Sequence, residues 1–254
     1  MNIFLSGVLW VAGAAVVAGV TAYLVRRFGL DEGRPGNNDA AGQVFTIVAG
    51  LHVVLVAFVL ISLYDAVSEA SDKSYEEADG LVAVAWAADS LPEPVAADVR
   101  RLAAEYASTV ATEEWPKLRE GESVPRTAER QLEDLRAAIT DAEVPDDDFS
   151  VGRKTEAVDK LWEVYQARQA RLNGSDSVGV GAVVWFVLIA GSVITVLLPN
   201  LFGGTKLLTH VIIVSTLAGT ITLLLFAIYQ LQNPFGGGAR VEPEAFRWAV
   251  DRLA

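Results

Sequence analysis

From Gly42 to Tyr64 the chain reads GQVFTIVAGLHVVLVAFVLISLY, 23 residues without a charge. An uncharged apolar run of this length reads as a membrane span, because about 20 helical residues cross about 30 Å of hydrocarbon. The next stretch, DAVSEASDKSYEEADGLVAVAWAAD from Asp65 to Asp89, follows with no proline between. It is charged on one side and apolar on the other: Val67, Ala70, Ala78, Leu81, Ala85 and Ala88 recur at three- and four-residue steps. The pattern predicts one helix that crosses a bilayer and continues into water. Gly80 within it weakens that continuity by about 1 kcal/mol relative to alanine.

Three further apolar runs fit the same solvent. Asn2 to Val25 is closed by Arg26-Arg27. A cleaved signal peptide is the competing reading, but nothing basic precedes the run, it exceeds a signal core, and the arginines follow it. A retained span fits better. Ala14/Ala18 and Ala15/Gly19 sit one turn apart, the spacing that lets membrane helices approach closely, although an alanine-rich span also holds such pairs by chance. Phe28 to Ala41 is a polar turn rich in Gly, Pro and Asn. Val178 to Pro199 and Leu207 to Leu231 form a third and a fourth span, joined by a tight turn from Asn200 to Lys206. A mean hydropathy of +0.35 agrees with four spans.

The middle of the chain has the opposite character. Between Asp65 and Ser177 there are 26 acidic and 13 basic residues, a net of −13, whereas the remainder nets +1. A polyanion needs a basic footprint, so nucleic acid is excluded as a partner. Ser90-Leu91-Pro92-Glu93 matches a capping box. The helix it predicts carries Val95, Val99, Leu102, Tyr106 and Val110 inward and ends near Trp115-Pro116. A third helix follows Pro125 with Ala128, Leu132, Leu135 and Ile139 inward. Asp146-Asp147-Asp148 marks a fourth N-terminus, where the helix dipole favours acids. That helix would use Val151, Val158, Leu161, Trp162 and Tyr165, and stop near Asn173-Gly174.

The expected fold is therefore an all-α integral membrane protein: four transmembrane helices, with a four-helix antiparallel bundle inserted between the second and third spans. The second span is continuous with the bundle's first helix. Residues 1–64 hold the first two spans, 65–177 the acidic bundle, 178–231 the last two spans, and 232–254 an amphipathic tail. In the tail, Phe246, Ala249, Val250 and Leu253 share a face, suited to the membrane surface or to the bundle. Four spans put both termini and the bundle on one side of a cell membrane. Arg26, Arg27, Arg34 and Lys206 crowd the short loops opposite, so the positive-inside rule favours an extracytoplasmic bundle by a thin margin.

Candidate chemistry is sparse. There is no cysteine, and His52 and His210 are the two histidines. His52 lies mid-span, where an ionisable group is a functional candidate by default; a neutral histidine bonded to a neighbouring helix is the equal alternative. His210 suits an interfacial role more than a pore. Thr209, Thr216 and Thr220 share a face of the fourth span, a hydroxyl stripe able to line an ion path or to pack with back-bonded hydroxyls. Gly179, Gly181 and Gly191 suit close helix packing. Asp146, Asp147 and Asp148 could form an acidic vestibule that concentrates cations, or a solvated face. No metal site, cofactor or catalytic residue is expected: the EF-hand spacing, His-Glu-x-x-His, Gly-x-Ser-x-Gly and the phosphate loop are all absent.

Several short motifs in order resemble one family. Asn38-Asp39 with Ala41-Gly42, Glu77-Ala78 with Leu81, and Leu91-Pro92-Glu93-Pro94 come first. Tyr106, Val110 and Glu114-Trp115-Pro116 continue the match, and Pro234-Phe235, Val241, Pro243 and Phe246 close it. Together they resemble the bacterial bestrophin-like membrane proteins over nearly the whole chain. Asn37 and Gln232 depart from the histidine and aspartate often found there. By analogy with bestrophins the resemblance implies a homo-oligomeric ion channel. An acidic vestibule would make it cation-preferring, against a literal bestrophin reading. The partners expected are the lipid bilayer, further copies of the chain and inorganic ions. A non-conducting sensor or scaffold whose bundle binds a partner is the alternative from another class.

Overall fold

The computed structural model describes residues 2–28, 35–177, 180–201 and 206–254, without the side chains of 35–37 and 174–177. Arg34, Gly179 and the side chain of Asn37 lie outside that description. The described residues are helical, with no strand among them, and they divide into two compact units. Met1–Tyr64 with Val180–Gln232 forms an apolar unit, and Asp65–Gly179 with Asn233–Ala254 a charged one. Among the described residues, four helices are long and apolar enough to cross a membrane.

The apolar unit holds α1 (Ile3–Phe28), the first half of α2 (Pro35–Ala88), α7 (Ala182–Leu197) with a 3₁₀ turn (Leu198–Leu201), and α8 (Leu207–Leu231). The small residues of α1 do what their spacing predicts. Ala18 and Ala22 are buried, and a Cβ on Gly19 would lie 2.5 Å from Ser215 Oγ on α8. Backbone-close packing of this kind replaces the hydrophobic drive that lipid removes. Large apolar side chains point outward, among them Phe4, Leu51, Phe58, Phe186 and Leu208. The polar turn expected to last until Ala41 is shorter, because α2 already begins at Pro35. Proline suits a first helical position: its φ is preset and its missing N–H would be unbonded there anyway.

α2 is unbroken from Pro35 to Ala88, Gly80 included. Gly80 is explained by the helix that carries Val164, since a Cβ there would stand 2.7 Å from Val164 Cγ2. The charged unit consists of the second half of α2, α3 (Val95–Thr109), a π-helical turn (Val110–Glu114), α4 (Trp115–Glu120), α5 (Thr127–Thr140), α6 (Asp148–Ser177) and α9 (Glu244–Leu253). Its core joins Leu81, Val99, Tyr106, Leu132, Leu135, Ile139, Leu161 and Phe246.

Three boundary expectations need correction. The Ser90–Glu93 capping box does not form, and α3 starts at Val95 without a side-chain cap. Leu91 and Glu93 each precede a proline, which pushes both out of helical geometry. Trp115-Pro116 does not end the next helix: the π turn adds a residue ahead of Pro116, and the chain continues to Glu120. Gly121 closes it in the left-handed conformation at φ 70°. On α6, Val151 and Trp162 are exposed, while Ala157, Leu161, Val164 and Ala167 are buried, and the helix runs past Asn173-Gly174 to Ser177. Of the two places open to the tail, the bundle is the one it takes: Ala245, Phe246, Ala249 and Leu253 of α9 are buried, and α9 packs on α3 and the π turn.

Candidate functional site

Several motif residues scattered along the sequence, from Glu77 to Phe246, converge inside the charged unit, whereas Asn38, Asp39 and Gly42 belong to the apolar one. Glu77 on α2, Tyr106 on α3 and Glu114 on the π turn are fully buried. Sequence reading did not single out the two residues that complete the group, Arg168 and Arg171 on α6. They extend the buried α6 stripe of Leu161, Val164 and Ala167 by one further turn. That periodicity was the available signal; their charge argued for solvent instead.

The five side chains bond to one another, with Arg171 Nη1 alone among their polar nitrogens buried without a hydrogen-bond partner. Arg171 donates from Nε to Glu77 Oε2 at 2.7 Å, and from Nη2 to Glu77 Oε1 at 3.0 Å and Glu114 Oε2 at 3.1 Å. Arg168 grips Glu114 with both terminal nitrogens, at 3.0 and 2.6 Å, and donates from Nη1 to the Tyr106 hydroxyl at 3.0 Å. Tyr106 in turn donates to Glu77. Two carboxylates against two guanidiniums leave no net charge, the condition under which ions survive burial. Burial alone would lower the Arg171 pKa, but Glu77, with Tyr106 and Glu114, more than reverses it and keeps the guanidinium charged. Burial, reinforced by Glu77, holds the Tyr106 hydroxyl well above its ordinary 10.0, so it stays a donor.

An aromatic lid carries further motif residues. Trp115 stands edge-on to Phe235 at 5.1 Å and tilted against Phe246 at 5.7 Å. The Arg171 guanidinium lies 5.6 Å from the Trp115 ring centroid and 5.4 Å from that of Phe246. Trp115 Nε1 donates to the Val241 carbonyl at 3.1 Å. The Val241 N–H closes the turn onto the Pro234 carbonyl at 2.8 Å. Such a set can brace three helices and the tail in one register. Its acids have basic partners at bonding distance, and no cluster of three or more His, Cys, Asp or Glu residues able to hold a metal exists among the described residues.

The other candidates lie elsewhere. His52 is buried, with Nε2 3.0 Å from Ser192 Oγ on α7. The Ser192 hydroxyl is spent on the Leu188 carbonyl at 2.7 Å, so His52 is the donor. A Cβ on Gly191 would sit 2.5 Å from His52 Nδ1, which explains that glycine. His210 is buried too, and its Nε2 lies 3.1 Å from Asn200 Oδ1. Thr209, Thr216 and Thr220 are exposed on α8, in line with Ile213 and Leu223. The structure thus separates the two histidines, which face the unit's interior, from the threonine stripe on its surface. Asp39 is exposed near the start of α2, Asn38 is half-buried, and Gly42 accepts the Thr46 hydroxyl through its carbonyl.

Asp147 caps α6: its Oδ1 accepts the Ser150 N–H at 2.9 Å, and its Oδ2 accepts the Ser150 hydroxyl at 2.8 Å. The Ser150 N–H above all holds its pKa below the usual 3.8. Asp146 and Asp148 flank it, exposed.

Comparison with known proteins bears on the whole chain. A family model described as the bestrophin-like domain matches residues 12–246. Two solved structures align over 100% of this chain. One is a point mutant of a bacterial bestrophin homolog from Klebsiella pneumoniae, with TM-score 0.69, 12% identity and 98% of that chain covered. The other is a point mutant described as a membrane protein, with TM-score 0.69, 13% identity and 97% covered. At that identity they show a shared fold. No curated protein matches the chain. With nine-tenths of its length inside one family model and its fold shared end to end, the chain belongs to the bestrophin-like family.

Proposed function

We propose that this chain is one subunit of a homo-oligomeric ion pathway in a cell membrane, with the charged unit as its vestibule. In this reading the four long apolar helices span the bilayer, and the charged unit stands outside it, inserted between the second and third spans. The observation that carries it is the stripe Thr209, Ile213, Thr216, Thr220 and Leu223 on α8, which the chain's own helices leave uncovered. Hydroxyls on a span's outer face have poor company in lipid and good company in water, so a stripe of them suits a path enclosed by several copies. His52 and His210 serve as ties between helices, through Ser192 and Asn200.

A second lining is favoured by a different observation. The apolar stretch of α2 is the least covered of the four, and Ile47, Leu51, Val54, Phe58 and Ile61 form an exposed stripe on it. Around a symmetry axis that stripe would make a hydrophobic constriction, which gates by dewetting.

The net −13 of residues 65–177 raises the local cation concentration, so the pathway is cation-preferring, with the bundle extracytoplasmic. The buried Glu77–Arg171 set then keeps α2, α3 and α6 moving as one body. Purified protein in planar bilayers is expected to pass current whose reversal potential in a KCl gradient follows K⁺. A reversal potential that follows Cl⁻ would overturn the selectivity. No current at either polarity over a range of pH would overturn the pathway, and favour a sensor or scaffold.

A further inference from the structure

In the apolar unit, α1 and α7 both pack on α8 and leave a cleft of about 830 Å³ between them. Leu9, Gly13 and Val17 of α1 face Val193 and Val196 of α7 across it, and Ala218 of α8 lies in its floor. The lining is almost wholly apolar. It follows α1 from Ser6 to Thr21, about 22 Å of helix axis. That exceeds the ~15 Å half-thickness of a bilayer's hydrocarbon, so the cleft can hold one lipid tail at full length. The space is open: a Cβ added at Gly13 would meet nothing within 4 Å.

At membrane depth such a cleft is filled either by hydrocarbon or by protein. A helix needs a channel about 10 Å across along that whole length. A single acyl chain, far thinner, fits.

One end of the cleft is cationic. α1 lies antiparallel on α8, since Gly7 meets Phe226 while Gly19 meets Val211 and Ser215. That register puts Arg26 and Arg27 level with the start of α8, beside Lys206. Asn200 lines the cleft and bonds His210 in the first turn of α8, so the cleft reaches towards that same end. Among the described residues of this unit, Arg26, Arg27 and Lys206 are the cations and Asp39 the one acid.

We propose that the cleft binds one acyl chain of an anionic phospholipid, whose headgroup is held by Arg26, Arg27 and Lys206. The site rests on reading these helices as spans, and is independent of whether the protein conducts. The test reconstitutes the full chain in vesicles of equal phosphatidylglycerol and phosphatidylcholine, extracts it in mild detergent, and counts co-purifying lipid by native mass spectrometry.

The native chain is expected to keep a single phosphatidylglycerol per subunit. Gly13→Trp, with Gly13→Leu as the milder filling, is expected to lose it at least roughly fivefold, the equivalent of about 1 kcal/mol. Gly50→Trp, at a glycine equally open but outside the cleft, retains it. Replacing Arg26, Arg27 and Lys206 by glutamine keeps a lipid but removes the preference for phosphatidylglycerol. Equal retention by Gly13→Trp, no anionic preference in the native chain, or complete loss of its lipid would overturn the proposal. So would a disulfide between chains at Gly13→Cys, which would put a second copy in the cleft.

Discussion

In the apolar unit the two buried histidines are held in isolated pairs, His52 with buried Ser192 and His210 with half-buried Asn200, each joining two segments through a single ring nitrogen. In the charged unit buried polar side chains come as a set of five around two arginines and two glutamates. The difference follows from what surrounds each unit. A side chain in a span trades one apolar environment for another, so a single hydrogen bond between helices adds little, on average about 0.6 kcal/mol. On the proposed reading, in which water surrounds the charged unit, a charged group buried there has lost water, and its loss is repaid by partners on several helices or not at all. The apolar unit can therefore be tuned residue by residue, whereas the charged unit stands or falls as a set.

The largest expected effect breaks that set. Arg171→Leu leaves Glu77 and Glu114 short of partners in a fully buried place, and is expected to destabilise the protein by about 3–5 kcal/mol in chemical unfolding. Adding Glu77→Leu recovers part of the loss, because the stranded carboxylate goes with it; simple additivity of the two would contradict the coupling. Next comes the packing beneath the set. Leu135→Ala, fully buried on α5, is expected to cost about 2–5 kcal/mol. A loss below 1 kcal/mol would mean the core collapses around the gap.

The apolar unit should respond more weakly. His52→Leu removes the Ser192 bond and is expected to cost about 0.6 kcal/mol, at most about 1.7. A cost as large as that of Arg171→Leu would erase the contrast between the units. The smallest effect is at the α6 cap. The folded-state pKa of Asp147 lies below the ordinary 3.8, so its contribution is complete above that value and fades as pH falls through the lower, folded one. Asp147→Asn should flatten that part of the stability–pH curve and leave neutral pH nearly unchanged.

How far the sequence led depended on what each pattern reports. The spans were legible because an uncharged run has one cheap solvent, and α8 spans Leu207–Leu231 as its hydropathy predicts. Helix α5 was legible to the residue, since Ala128, Leu132, Leu135 and Ile139 all lie inward. Boundaries near prolines were not: Pro92 and Pro94 unmake a capping box that is correct by spacing, and a π turn carries the helix past Pro116. Glu77, Glu114, Trp115 and Phe235 were found by family resemblance. Their arginine partners stayed hidden because charge masks membership of a buried stripe. Trp162 misled in the opposite way, a large apolar side chain that α6 leaves outside.

The natural chain contains no cysteine, so single cysteines report without background. Thr216→Cys and Thr220→Cys, reconstituted in a planar bilayer and exposed to a charged methanethiosulfonate, test the proposed pathway most directly. Current through both variants is expected to fall on addition of the reagent, while Leu201→Cys, exposed beyond the stripe, is indifferent. Unchanged current at both threonines with block at Phe58→Cys would move the lining to α2, and no current in the native chain would contradict the pathway itself.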